Sequence, residues 1–138
     1  MKLGLDFHGV ITAKPKFFSR ISKLFMLGGH DVHILTGSRW TLDLERQLVG
    51  YDISWTHKFS ISDHHHEIGT PMTGYDEGQP KIDDLTWNKT KAWYCLQHGI
   101  DLHIDDSPVY GQYFITPYCH YDSKVEKDLS FLYAELMR

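Results

Sequence analysis

Three short apolar runs in this chain each end in residues able to do polar chemistry. Lys2 to Phe7 delivers Asp6 and His8, Val32 to Leu35 delivers Thr36 and Ser38, and Leu102 to Ile104 delivers Asp105 and Asp106. Runs of this length read as buried strands, and in an open parallel sheet ligands bind beyond the carboxyl ends of the strands. Carboxylates arriving there from separate strands repel one another unless a cation neutralises them, and hard oxygen ligands suit Mg²⁺. A carboxylate left free beside such an ion can attack phosphorus, because Asp forms covalent intermediates. A threonine hydroxyl and a lysine nearby would hold the non-bridging oxygens as charge redistributes.

The elements that must position these residues alternate. The first strand closes in the tight turn Asp6-Phe7-His8-Gly9, and a helix is expected from Pro15 through Phe17, Phe18, Ile21, Leu24 and Phe25, stopped by Gly28-Gly29. After the Val32–Leu35 strand come a helix over Leu42 to Val49 and a strand over Tyr51 to Trp55. Thr56 to Pro80 is irregular, with three successive histidines and Gly/Pro punctuation, and reads as an insertion or lid over residues 56–80. A helix over Trp87 to Gln97 precedes the Asp105 strand, and Tyr113 to Ile115 would form a last short strand. Ser123 and Glu126 have capping-box spacing, and Val125, Leu129, Leu132 and Leu136 line one face of a closing helix. Strands alternating with helices predict an α/β fold, a doubly wound Rossmann-like parallel sheet with helices on both faces.

Composition bounds the rest. The 138 residues suit one domain spanning 1–138, and 41% hydrophobic with 14% aromatic content is too apolar for a disordered chain. No apolar run approaches the roughly 20 residues of a membrane helix, and Asp6 stands where a secretory signal would be apolar. Cys95 and Cys119 make neither a disulfide framework nor a metal-ligand spacing. The expectation is a cytoplasmic protein without membrane contact. A net charge of −4 disfavours binding long nucleic acids through bulk charge.

Leu5-Asp6-Phe7-His8-Gly9-Val10-Ile11-Thr12 resembles the first motif of the haloacid dehalogenase superfamily, Asp-x-Asp-Gly-Thr/Val-x-Thr. His33-Ile34-Leu35-Thr36-Gly37 is similar to the second motif, and Asp105-Asp106-Ser107 to the acidic fourth. Order and separation match, over about residues 2 to 116. The resemblance implies a haloacid dehalogenase-like fold with a small cap or none. Its expected activity is Mg²⁺-dependent phosphomonoester hydrolysis through a phospho-aspartate. Asp6 would be nucleophile and metal ligand, Thr36 and Gly37 would bind phosphate, and the His8 carbonyl would add a metal oxygen. One or both of Asp105 and Asp106 would complete the metal site, with Asp106 favoured as the direct ligand. The family's lysine falls best at Lys91, with Lys89 next and Lys81 also between the flanking motifs. Lys91 would then act in catalysis and hold phosphate.

His8 stands where phosphatases of this family carry a second Asp. Imidazole, with a pKa near 6.5, can protonate a leaving group in its place. A non-catalytic module that binds metal or phosphate is the alternative reading. A single helix between His8 and the second strand leaves no room for a large cap, so the substrate would be a nucleotide, a nucleic-acid end or another phosphomonoester. An open site also leaves room for a neighbouring subunit of a homo-oligomer. His64, His65 and His66 read as an exposed loop, and Cys95 as a small buried hydrophobe. Arg39 could reach phosphate or solvent, and Trp40 is the aromatic nearest the second motif.

Overall fold

Alternation of side chains along a strand sorts Leu3 and Leu5 to one side of the first strand and Gly4 and Asp6 to the other, and the whole architecture follows that division. The computed structural model describes residues 1–122 and residue 134. In chain order the elements are β1 (Lys2–Asp6), α1 (Pro15–Leu27), β2 (Asp31–Thr36), α2 (Leu42–Gly50), β3 (His57–Ser60), α3 (Ile61–Glu67), β4 (Gly74–Asp76), β5 (Gln79–Lys81), α4 (Asp84–Gln97), β6 (Leu102–Asp105) and β7 (Tyr118–His120). Five strands form one sheet in the order β3-β2-β1-β6-β7, and each neighbouring pair is parallel. β4 and β5 pair antiparallel as a separate hairpin. The expected α/β fold, a parallel sheet flanked by helices, is therefore present.

Leu3, Leu5, Val32 and Ile34 pack with Phe18 of α1 and with Leu44 and Leu48 of α2 in the larger core. The opposite face meets α4, where Leu35 joins Tyr94, Cys95 and Ile100. Burying a Leu or Ile side chain fully is worth about 1.5–3 kcal/mol, so the first face supplies most of the apolar drive. The α4 face is more polar. Asp6, His33, His103 and Asp105 are all buried, and α4 answers with Thr90 and Lys91.

Several boundaries differ from those expected. Tyr51–Trp55 is not a strand: Asp52 adopts a left-handed φ of 59° and ends α2, with Ile53 N–H donating to Leu48 O at 3.0 Å and Asp52 N–H to Val49 O at 3.0 Å. The third strand lies at His57–Ser60 instead. Residues 56–80 are largely ordered into β3, α3 and the hairpin rather than irregular. Tyr113–Ile115 is not a strand either. A 3₁₀ turn covers Tyr110–Tyr113, and the edge strand begins after Pro117, whose carbonyl accepts from His103 N–H at 3.0 Å. α4 starts a turn early because the Asp83 side chain caps Thr86 N–H at 3.0 Å. Apart from residue 134, the closing helix expected after Ser123 lies outside the described residues. Among the described residues, no helix is long and apolar enough to cross a membrane.

Candidate active site

β1 and β6 are neighbours in the sheet, and the chain order reverses between them. Such a switch point opens a crevice at the carboxyl ends of the strands. Asp6 ends β1 and Asp105 ends β6, so the pleat and register bring both carboxylates to the α4 face. There they meet Lys91, whose Nζ donates to Asp6 Oδ1 at 2.8 Å and to Asp105 Oδ2 at 2.7 Å. All three side chains are buried. Of the three candidate lysines, Lys91 makes this contact. Lys89 lies over the Tyr113 ring, and Lys81 is exposed on β5.

The turn after β1 shapes the other wall. A helical turn over Phe7–Ile11 is interrupted at His8 and Gly9, and Gly9 N–H donates to Thr12 Oγ1 at 2.9 Å. Gly9 has φ 82°, and a Cβ there would overlap the Asp106 carboxylate. Glycine is required twice over, for its backbone angle and for its missing side chain. Asp106 is exposed and closes the cluster: one ligand oxygen from each of Asp6, Asp105 and Asp106 lies within 4.8 Å of the others.

β2 ends in Thr36, which is fully buried with its Oγ1 accepting from Ser38 N–H at 3.2 Å. The following loop is fastened from α3 and β3. Ser62 Oγ donates to Gly37 O at 2.5 Å, and Ser60 Oγ donates to Ser38 O at 2.6 Å. Gly37 and Ser38 thereby line a cleft of about 490 Å³ together with Asp6, His8, Lys91, Asp105 and Asp106. Thr36 lies beneath this surface rather than on it.

Donor counting explains how charge divides within the cluster. Burial alone would raise the Asp105 pKa. The bond from His103 Nε2 at 2.9 Å and the Lys91 charge outweigh burial, holding it well below the usual carboxylate range. Asp105 also accepts from Ser107 N–H at 3.0 Å. An ionised Asp105 only accepts, so the His103 proton sits on Nε2. Asp6 lacks those extra donors. Burial pushes it up, Lys91 relieves it only in part and Asp105 pushes it up again, so it lies above the usual carboxylate range. Burial would depress the Lys91 pKa, yet the two carboxylates hold it above its ordinary value. Burial and the Lys91 charge lower His8, with Asp106 opposing.

Three carboxyl groups converge beside one ammonium, and a hard divalent cation would relieve the repulsion that raises Asp6. The oxygens that converge are those of Asp6, Asp105 and the exposed Asp106, and Asp105 is already engaged by three donors.

Trp87, Tyr110 and Gln79 also line the cleft. Trp87 donates from Nε1 to Tyr110 Oη at 2.9 Å, and its ring lies against Gly37, where a Cβ would approach within 3.0 Å. Gln79 of the hairpin reaches Ser38 Oγ at 3.4 Å. Trp87 precedes Lys91 by one helical turn, a spacing that puts both on one face and could have been read. Tyr110 and Gln79 left no such signal.

Arg39 is not in this cleft. Its Nε lies 3.6 Å from Asp63 Oδ1, and its side chain lines an adjoining cleft. Trp40 donates to Glu45 Oε1 at 2.7 Å and packs near Trp55, also away from the carboxylates. The three histidines form part of α3 rather than a loop. His65 is buried, bonded through Nδ1 to Thr70 Oγ1 at 2.7 Å and through Nε2 to Thr90 Oγ1 at 2.8 Å. Comparison of the chain with protein-family models, curated proteins and solved structures finds no match.

Proposed function

We propose that the chain is a haloacid dehalogenase-like, Mg²⁺-dependent phosphatase for phosphomonoesters. The observation that carries this reading is the joining of Asp6 and Asp105 by Lys91 at the β1/β6 switch point, with Asp106 alongside. Asp6, Asp106 and the His8 carbonyl would hold Mg²⁺, supported by Asp105. When bound, the ion supplies charge neutralisation that lets an anionic phosphoryl group approach anionic carboxylates.

A carboxylate oxygen of Asp6 attacks phosphorus, and the bond from phosphorus to the ester oxygen breaks. The leaving oxygen keeps that electron pair and takes a proton from His8, which lies at the exposed mouth of the cleft. Water then attacks the aspartyl phosphate and gives its proton to His8. Inorganic phosphate leaves and the Asp6 carboxylate is restored. Lys91 and the Gly37–Ser38 loop that lines the cleft steady the phosphoryl oxygens, and Thr36 beneath them positions that loop through Ser38 N–H.

The hairpin supports the role of a small lid, since Gln79 reaches over the cleft to Ser38. Trp87 and Tyr110 offer aromatic surface beside the phosphate position, which favours a nucleotide or a nucleic-acid end over a small sugar phosphate. Phosphate release from nucleotides, phosphorylated oligonucleotides and an aryl phosphate, with Mg²⁺ or EDTA, tests the proposal. Metal-dependent release that disappears in Asp6→Asn supports it. Full activity in that variant overturns the phospho-aspartate route. Silence across the substrates, with Mg²⁺ still raising Tm, favours a metal- or phosphate-binding module in which His8 replaces the acid.

A further inference from the structure

At the opposite edge of the sheet from Asp6, the same pleat assembles a different donor set. Asp31 and His33 lie two residues apart on β2 and so share the α4 face. His57 of β3 pairs with His33 in the parallel ladder and shares that face. One ligand atom from each of Asp31, His33 and His57 lies within 4.8 Å of the others. The two imidazoles stack at 4.2 Å with planes 9° apart.

Hydrogen bonds turn one nitrogen of each ring toward its anchor and leave the other bare. Thr56 Oγ1 accepts from Val32 N–H at 2.9 Å and lies 2.9 Å from His57 Nδ1. With Nδ1 anchored there, Nε2 is the His57 ring nitrogen left for a ligand. His33 Nδ1 is bonded to Tyr94 Oη at 2.8 Å, while His33 Nε2 is buried with no hydrogen-bond partner among the described residues, and the residue is only 2% exposed. A buried polar atom without a partner is costly in a native fold and calls for an explanation. Histidines bound through one nitrogen and oriented through the other have this arrangement at metal sites.

We propose that Asp31, His33 and His57 form a second metal site at the amino edge of the sheet, for Zn²⁺ or a similar borderline divalent ion. Two imidazole nitrogens with one carboxylate suit such an ion better than Mg²⁺ and leave a coordination position open to solvent. Stacked rings do not converge on an ion as they stand, so binding requires the exposed His57 ring to turn away from His33. The nearby Lys2 ammonium is held aside by donation to His98 O at 3.0 Å. The ion would fasten the edge strand β3 to β2. The proposal is independent of phosphate chemistry.

The test uses untagged full-length protein with excess Mg²⁺, titrated with Zn²⁺ by calorimetry and with Co²⁺ by visible absorption. One equivalent should bind to the wild type and equally to Asp106→Asn. In His57→Ala and in Asp31→Asn, both at accessible positions, affinity should fall roughly tenfold or more and the Co²⁺ absorption should fade. Undiminished binding in both of these variants, loss in Asp106→Asn, or no Zn²⁺ bound by the wild type would each overturn it.

Discussion

Lys91 and Asp6, 85 positions apart in the chain, meet at 2.8 Å with both side chains buried. Lys91 also meets Asp105, so one ammonium holds two strand ends together. Replacing it leaves two buried carboxylates without their cation. Lys91→Met should cost about 3–5 kcal/mol of stability, the usual cost of stranding a buried charge. A urea midpoint titration measures this, and a loss below about 1 kcal/mol would mean that the carboxylates escape to water.

Gly9 makes a prediction about metal affinity. Gly9→Ala places a methyl group against the Asp106 carboxylate and forces a residue with a Cβ to φ 82°. Left-handed backbone costs roughly 1–2 kcal/mol in an L-residue, and Asp106 must also move. Calorimetry should show weaker Mg²⁺ binding as well as lower stability. Unchanged affinity would separate Asp106 from the ion.

The two cysteines should differ sharply toward a thiol reagent. Cys119 is exposed and Cys95 is buried, so the native protein should react at one thiol and the denatured protein at two. Burial pushes the Cys95 thiol up to about 12, from 9.0. The folded state thus favours the protonated thiol. Its contribution to stability is present below pH 9 and is lost as pH rises toward 12, because the unfolded chain ionises first. Cys95→Ser should flatten that alkaline decline.

His65 is one of the buried histidines that act on the acid side. Burial lowers its pKa from 6.5, and the neighbouring His64 adds to the effect. The unfolded chain then takes up a proton that the folded chain refuses. The contribution is whole above about pH 6.5 and shrinks as pH falls below it toward the lowered folded value. His65→Gln should reduce the slope of stability against pH in that window by up to about 1.4 kcal/mol per unit. Identical slopes in both proteins would refute the assignment.

Most of the parallel sheet was legible because its strands are short apolar runs ending in polar residues. Misreadings arose where a local signal was missing. α1, α3 and α4 are each followed by a glycine at positive φ, Gly29, Gly69 and Gly99, but α2 is followed by Asp52. Without glycine to mark the turn, Ile53 and Trp55 read as a strand. Three successive histidines in an irregular stretch read as an exposed loop, yet α3 carries them and Thr70 and Thr90 satisfy His65 inside. At the site, Asp6, Asp105, Asp106 and Lys91 could be named from order along the chain and from family resemblance. Tyr110 and Gln79 could not be named so, since no one-dimensional spacing reports which rings and amides converge on a cleft. Nor did pattern reading find Asp31, His33 and His57, whose common face depends on the register between β2 and β3.

The hairpin stands apart from the five-stranded sheet and has its own ladder. Its tip residues Glu77 and Gly78 line an adjoining cleft of about 320 Å³, which shares His8 and Ser38 with the carboxylate cleft. The converging carboxylates sit at strand ends of one sheet, while Gln79 on the rim of their cleft belongs to another. On the proposed phosphatase reading, grafting a different hairpin tip would alter substrate choice while leaving the central strand pairing intact.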